Sequence, residues 1–268
     1  MSIKEIFEEE KIEYFGAVPY ASLREINKRA RGRIPFEPKS VIIFLLPYYV
    51  SEGENISKYA TSLDYHIAVK DFTDRIIAKL SRLFTNGKFI GFGDTSPIDE
   101  RYAAAGAGLG VIGDNGLLIN EKYGSFVFLC EIITDLDCRD IGGSEVGRIG
   151  GCAHCGKCKS ACPTGILRGE GSSCLSEITQ RKGELSEEEL SLMREWGTVW
   201  GCDICQNVCP YNENPAVTPI EFFHKDRIEK LTEELLLHMS DEEFKDRAFS
   251  WRGRGVLKRN LENEKKCK

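Results

Sequence analysis

Eight cysteines between residues 152 and 209 carry the most specific chemistry in this chain. The first run is Cys152-Ala-His-Cys155-Gly-Lys-Cys158-Lys-Ser-Ala-Cys162-Pro163. Cys174 follows, and then Cys202-Asp-Ile-Cys205-Gln-Asn-Val-Cys209-Pro210. The spacing C-x2-C-x2-C-x3-C-P wraps three corners of an iron–sulfur cubane in one tight loop, and its fourth thiolate reaches across to a second cluster. The proline after the last cysteine turns the chain away from the loop. Eight thiolates supply two [4Fe–4S] sites. With the crossing-over rule, one site takes Cys152, Cys155, Cys158 and Cys209, and the other takes Cys162, Cys174, Cys202 and Cys205. Zinc is the competing reading, since C-x2-C pairs also build structural zinc sites. The triple run and the repeated Cys-Pro endings favour iron and sulfide. Disulfides belong to oxidising compartments, and such spacings in an intracellular chain favour metal. Two adjacent clusters make an electron wire, so other residues must supply what the wire serves.

The 268 residues suffice for a sizeable core and two compact units. Lys+Arg 36 against Asp+Glu 42 leaves a net charge of −6, a poor electrostatic match for nucleic acid. No apolar run approaches the roughly 18–20 residues of a membrane span. The opening Met1-Ser-Ile-Lys-Glu-Ile-Phe-Glu-Glu-Glu is an acidic helix start rather than a signal peptide, and no twin arginine accompanies it. These features predict a cytoplasmic protein with no membrane partner. Among the other cysteines, Cys130 sits in an apolar strand and is expected in the core, while Cys138 and Cys267 have no assignable role.

Several elements must position the cysteines and their partner site. Residues 3–15 have helical periodicity through Ile3, Ile6, Phe7, Ile12 and Phe15. Lys39–Pro47 is a continuous apolar run of strand length, hence a buried strand. Tyr48 and Tyr49 at its carboxyl end are either ligand contacts or ordinary loop aromatics. A helix packed on the sheet runs to about residue 84, with Ile67, Val69, Phe72, Ile76, Ile77, Leu80 and Leu83 on its apolar face. The short strand 88–93 ends in Asp94-Thr-Ser-Pro97-Ile-Asp-Glu-Arg101. Asp94 there is either a helix or turn cap or a carboxylate able to give a proton. Gly108-Leu-Gly110-Val-Ile-Gly113 spells GxGxxG. A helix precedes it and a turn and strand follow it, which is the wrong order for a dinucleotide site. Its glycines instead suit close backbone approach by a flat ligand or a neighbouring domain. A second buried strand spans 124–135, and the glycine-rich 141–151 reads as a linker. Ser186 opens a helix with an acidic first turn. Residues 226–239 and 241–249 read as two more helices. The basic tail with Arg247, Arg252, Arg254, Lys258, Arg259, Lys265 and Lys266 is either a solvated end or a phosphate-contacting patch.

Beyond the cysteines, the chain resembles the epoxyqueuosine reductase family, cobalamin-dependent iron–sulfur enzymes of queuosine tRNA modification. The resemblance lies in Ile56-Ser-x-Tyr59-Ala60 with Asp64-Tyr65-His66, and in Asp94-Thr-x-Pro97-x-x-Glu100-Arg101. It continues through Ala107-Gly-Leu-Gly-x-x-Gly113-x-Asn115, Leu117-Leu-Ile-Asn120, Gly124-Ser125, Glu131-Ile-x-Thr-Asp135 and Gly201–Pro210. At the end of the chain it includes Glu243-Phe244, Arg247, Ser250 and Lys258-x-Asn260. It covers roughly residues 40–260 in order. Departures are Asp114 where lysine is usual and Ile178-Thr-Gln-Arg181 where Thr-Ile-Glu is usual. The N-terminal region is shortened, and the chain stops near residue 268 where longer members continue into helical repeats. The resemblance is therefore to a short form.

This resemblance implies an α+β architecture. A nitroreductase-like α/β cobalamin-binding domain (1–148) precedes a double [4Fe–4S] bacterial ferredoxin-like domain (149–215) and a helical C-terminal segment (216–268). It implies reduction of epoxyqueuosine to queuosine in tRNA, with electrons from an external donor of ferredoxin or flavodoxin type. Asp94 falls on the general acid and is expected to be semi-buried and protonated near neutrality. Cobalamin contacts carry over to Ser57, Tyr65, His66, Asp94, Arg101, Ser176 and Asp203. With no Asp-x-His-x-x-Gly run, no lower axial imidazole is supplied. The alternatives are a cobalamin-dependent reductase of another small substrate, or a non-catalytic electron-transfer or corrinoid-reducing protein. A placed acid at Asp94 argues against the last.

Overall fold

The computed structural model describes residues 2–267, with Cys267 by its backbone alone. The chain divides into two compact units. One comprises Met1–Tyr48 and Ala68–His154, and the other Tyr49–Ile67 and Cys155–Lys268. The sequence reading drew three consecutive parts instead. The difference arises because residues 49–67 leave the first unit and pair with the second.

The first unit is built on a four-stranded antiparallel sheet with order β1-β2-β6-β3. Its strands are β1 (Phe15–Pro19), β2 (Ser40–Pro47), β3 (Phe89–Phe92) and β6 (Val127–Thr134). Every residue of β2 is buried. An antiparallel strand without polar alternation needs cover on both faces. Val41, Ile43 and Leu45 share a core with Ala103, Ala104 and Ala105 of α4 (Glu100–Gly106). Phe44 points the other way and meets Phe7 of α1 (Ile3–Glu9), with ring centroids 5.6 Å apart. Helix α3 (Tyr65–Leu83) buries Val69, Phe72, Ile76 and Leu80. Gly91 of β3 has no room for a side chain, because a Cβ there would lie 2.1 Å from the Thr73 methyl of α3.

Two local readings change. Helix α1 ends at Glu9 rather than continuing to 15, and Lys11 turns into the left-handed region at φ 58°. Phe15 mimics the helical repeat but lies in β1, stacked on Phe7 at 4.1 Å. The glycine-rich 141–151 is not a free linker. Its amides Ser144 and Gly147 bond the carbonyls of Ala17 and Gly106, and Gly151 bridges Ile112 of β4 (Val111–Ile112). Tyr48 is core, packed on Phe126 and Phe128, and Cys130 is fully buried, as read from its strand. Cys138 is buried as well, its Sγ 3.6 Å from the Ser144 carbonyl.

The second unit is helical: α5 (Lys157–Ala161), α6 (Leu175–Gln180), α7 (Glu187–Glu195), α8 (Ile204–Asn207), α9 (Glu233–His238), α10 (Asp241–Lys245) and α11 (Arg254–Glu264). Its core joins Ile56 and Ala60 to Trp200, Leu231, Phe249 and Leu257. Ile56 pairs with Trp200 and Leu63 with Arg247 as isolated bridges. The Asn55 side chain takes the Leu231 amide and donates to its carbonyl, 2.9 Å each. Ser186 caps α7 in a full capping box, as its sequence predicts. Residues 226–239 are not one helix. Asp226 is left-handed at φ 48°, and α9 starts only after the Thr232 cap. Three arginines of the basic tail are engaged in structure: Arg254 donates to the Leu236, Met239 and Ser240 carbonyls and Arg259 to those of Arg181 and Gly183, while Arg247 is buried against Asp226; Lys258, Lys265 and Lys266 are exposed.

Candidate active site and cluster ligands

In the first unit, β3 delivers the chain into the loop 94–98. Asp94 is exposed and left-handed at φ 59°. Aspartate is among the few side chains that enter this region readily. The helix cap is a different residue. Asp99 is the N-cap of α4, its side chain accepting from the amides of Arg101 and Tyr102. Asp94 is thus not the cap of α4. Nor is it the semi-buried acid the sequence predicted. The buried acid here is Glu100, whose carboxyl is pushed up to about 7, first by burial and then by the neighbouring Asp94 charge. Its Oε2 is buried with no hydrogen-bond partner among the described residues. Glu131 of β6, fully buried, accepts the Ser96 hydroxyl, and burial raises its carboxyl well above the carboxylate range. Its Oε1 has no partner either. Arg101 lies beside this group, bonding Asp99 and the Gly116 carbonyl at 3.0 Å.

Sequence reasoning missed Glu100 and Glu131 as buried acids, although both left a signal. Glu100 precedes Ala103 and Ala104 by three and four residues, hence shares their buried helix face. Glu131 interrupts an apolar strand.

The GxGxxG glycines serve the chain itself. A Cβ on Gly110 would lie 2.4 Å from the Ile119 carbonyl, and one on Gly113 2.9 Å from the Ile119 Cδ1. Their close approach is to β5 (Leu118–Ile119), which pairs with β4.

The second unit brings Ser57 and Asp203 together. The Ser57 hydroxyl and the Lys58 amide donate to the Asp203 carboxylate, the latter at 2.7 Å. Buried Lys58 reaches Glu52 at 2.8 Å, Asn207 at 2.6 Å and Asp203 at 3.8 Å. Burial still raises the Asp203 carboxyl against the lowering pull of Lys58. Ser57, Lys58 and Asp203 line an open pocket with about 420 Å³ of empty space, together with Asn55, Trp196, Thr198, Cys202 and Asn207. Tyr65 stacks on His66 at 4.1 Å, and Asp64 bonds the His66 imidazole at 2.8 Å. Ser176, on α6, accepts from Gln180.

The ten cysteines whose side chains are described form no disulfide. His154 and Gly156 take left-handed turns at φ 51° and 76° inside the first cysteine run. In the second unit Cys162 opposes its burial penalty with N–H donors from Leu167, Thr164 and Gly165, which hold its thiol below the usual range. Burial pushes Cys202 up to about 12, and Cys174 and Cys205 add to that by charge repulsion. Repulsion of this kind among neighbouring thiolates is relieved when they ligate the cationic core of an iron–sulfur cluster. Asp114 bonds His154 at 2.7 Å, with the His154 Nδ1 4.0 Å from the Cys152 sulfur.

Residues 151–212 match the family model described as a 4Fe-4S double cluster binding domain. This decides between the iron–sulfur and zinc readings of the cysteines. Over 268 aligned residues the chain is 34% identical to an epoxyqueuosine reductase of Leadbetterella byssophila, covering 92% of this chain and 84% of that one. The solved structure of epoxyqueuosine reductase from Streptococcus thermophilus superposes with a TM-score of 0.78 at 29% identity, covering 98% of this chain and 79% of that one. A further epoxyqueuosine reductase, crystallised with an epoxyqueuosine-modified tRNA-Tyr stem loop, shares the fold at a TM-score of 0.75 and 23% identity, covering 97% of this chain and 80% of that one.

Proposed function

The chain belongs to the epoxyqueuosine reductase family, and we propose that it reduces epoxyqueuosine to queuosine in tRNA with two [4Fe–4S] clusters and cobalamin. The net change is two electrons and two protons in, the epoxide opened to an alkene, and water out. When bound, the clusters pass electrons singly from an external donor of ferredoxin or flavodoxin type, and cobalamin supplies the cobalt centre that reduces the carbon framework.

The chain's own residues do the rest. One cluster is held by Cys152, Cys155, Cys158 and Cys209, and the other by Cys162, Cys174, Cys202 and Cys205. Asp94 gives its carboxyl proton to the oxygen that leaves as the epoxide ring opens. The pocket in the second unit fits a ligand rimmed with amide groups, since Ser57, Asn55, Thr198, Asp203 and Asn207 offer donors and acceptors side by side. The residues that would hold cobalamin are Ser57, Tyr65, His66, Asp94, Arg101, Ser176 and Asp203. No helix among the described residues is long and apolar enough to cross a membrane.

The observation that carries this reading is Asp94 itself. Its carboxyl is exposed at a strand end, its backbone is held left-handed, and the capping work falls to Asp99. The test is anaerobic purification, reconstitution with iron, sulfide and cobalamin, and assay of epoxyqueuosine in tRNA by nucleoside chromatography. About eight irons per chain, retained cobalamin and conversion to queuosine are expected. Full cofactor loading without turnover would overturn the substrate, and zinc in place of iron would overturn the chemistry. Asp94→Asn keeps cofactor loading and lowers turnover about 100-fold.

A further inference from the structure

Strand β3 leaves the sheet beside Glu131, because its last residue, Phe92, pairs with Glu131 of β6. A three-residue tip follows, Gly93-Asp94-Thr95. The Thr95 amide folds it tightly by bonding the Gly93 carbonyl at 2.6 Å, across the left-handed Asp94. The next residue, Ser96, is buried and donates its hydroxyl to the Glu131 carboxyl. One glutamate thus stands at both roots of the tip, by backbone register on one side and by side chain on the other. Beyond Ser96 the chain is fastened again. The Pro97 carbonyl takes the amides of Ile26 and Asn27 at 2.8 and 3.2 Å, and the Ser96 oxygen takes the Ile98 amide at 3.2 Å. We propose that Ser96 and Glu131 form a latch, two positioning residues that fix where the Asp94 carboxyl is presented. The inference rests on the reading of Asp94 as the proton donor.

Packing does not account for Glu131. It is fully buried, and its register partners in the sheet are Ile43 of β2 and Phe92 of β3. An apolar side chain would fill that place without the cost of burying a carboxyl, which here keeps one oxygen without a hydrogen-bond partner. What the carboxyl provides is an acceptor for Ser96. Asp94 and Thr95 are exposed, while Ser96, Pro97 and Ile98 are buried, so burial holds the root and not the tip. A shift of about 1 Å at a reacting group can cost on the order of 100-fold in rate. A latch two residues from Asp94 therefore acts on turnover without touching substrate. The bond needs an acceptor oxygen at position 131, and an amide oxygen serves as well as a carboxyl.

The test sets S96A, E131M, E131Q and the double variant S96A/E131M beside the wild-type protein, all loaded with clusters and cobalamin. S96A and E131M each lower kcat about tenfold, with KM and cobalamin content unchanged. The double variant falls no further than the worse single one, because both substitutions remove the same bond. E131Q keeps the acceptor and recovers most of the kcat. Without substrate, hydrogen–deuterium exchange over residues 93–98 speeds up about tenfold in S96A and E131M and stays at the wild-type rate in E131Q. Wild-type kcat in S96A, additive losses in the double variant, or losses carried by KM or cobalamin content overturn the proposal. If E131M does not fold, S96A and E131Q decide. The exchange arm is independent of the epoxyqueuosine reading. Faster exchange in S96A beside a wild-type protein that leaves epoxyqueuosine untouched sinks the substrate and keeps the latch, whereas wild-type exchange in S96A sinks the latch whatever the substrate.

Discussion

The two units bury carboxyl groups in opposite ways. In the second unit, Asp203 is surrounded by donors: the Ser57 hydroxyl, the Lys58 amide and the buried Lys58 ammonium. In the first, Glu131 takes the Ser96 hydroxyl, and Glu100 and Glu131 each leave one buried oxygen without a donor. Burial raises the carboxyl in both units, but Asp203 has donors bonded to both its oxygens, whereas Glu100 and Glu131 each keep an orphaned oxygen. The first holds a pocket wall in shape. Burial pushes Glu131 toward its neutral form inside a strand core, where an unpaired carboxylate is costly.

The sharpest way to break this contrast is Asp203→Ala. It leaves the buried Ser57 hydroxyl and Lys58 amide without their acceptor while Lys58 keeps Glu52, and a loss of about 3 kcal/mol in unfolding free energy is expected by denaturant titration. A loss below about 1 kcal/mol would show that the pair is not matched. Glu100 sets the next effect. Its folded value of about 7 lies above the unfolded 4.5, so the folded state binds the extra proton. Its penalty is absent below pH 4.5, grows as pH rises, and levels off above 7 at about 3 kcal/mol. Glu100→Gln should flatten stability across that window, and a wild-type slope in the variant would place the proton elsewhere. The smallest expected change is a control outside both groups. Ser186→Ala removes the cap of α7 and costs about 1 kcal/mol, with no pH dependence near neutrality.

Local chemistry was legible in the sequence wherever one residue type dictated one geometry. The cysteine spacing, the apolar run of β2 and the Ser186 capping box are examples. Legibility failed where periodicity and topology diverged. Phe15 keeps the helical repeat of Ile12 and Phe7 but enters a strand, because the turn at Lys11 resets the backbone. The stretch 226–239 contains enough leucine for a helix, yet the left-handed Asp226 and the Thr232 cap move its start. At the candidate site, Asp94 was found through the family resemblance rather than through burial, since it is exposed. Glu100 and Glu131 were readable from helix face and strand interior, but only once a carboxyl in an apolar setting is taken as a signal in its own right. The basic tail stayed open between a solvated end and a phosphate-contacting patch, because composition counts cations and does not reveal which of them carbonyls engage, as they do Arg254 and Arg259.

The stretch 49–67 carries a cost during synthesis. It leaves the ribosome well before Trp200, Leu231 and Arg247, the residues that later clasp it. Until they emerge, Ile56 and Ala60 have no lining to enter, and the nascent chain must keep this strap open and away from wrong partners. Gene fusions and family shuffling face the same rule. A crossover anywhere between 67 and 200 joins a strap from one parent to a clasp from another, and only parents agreeing at both places yield a chain that closes.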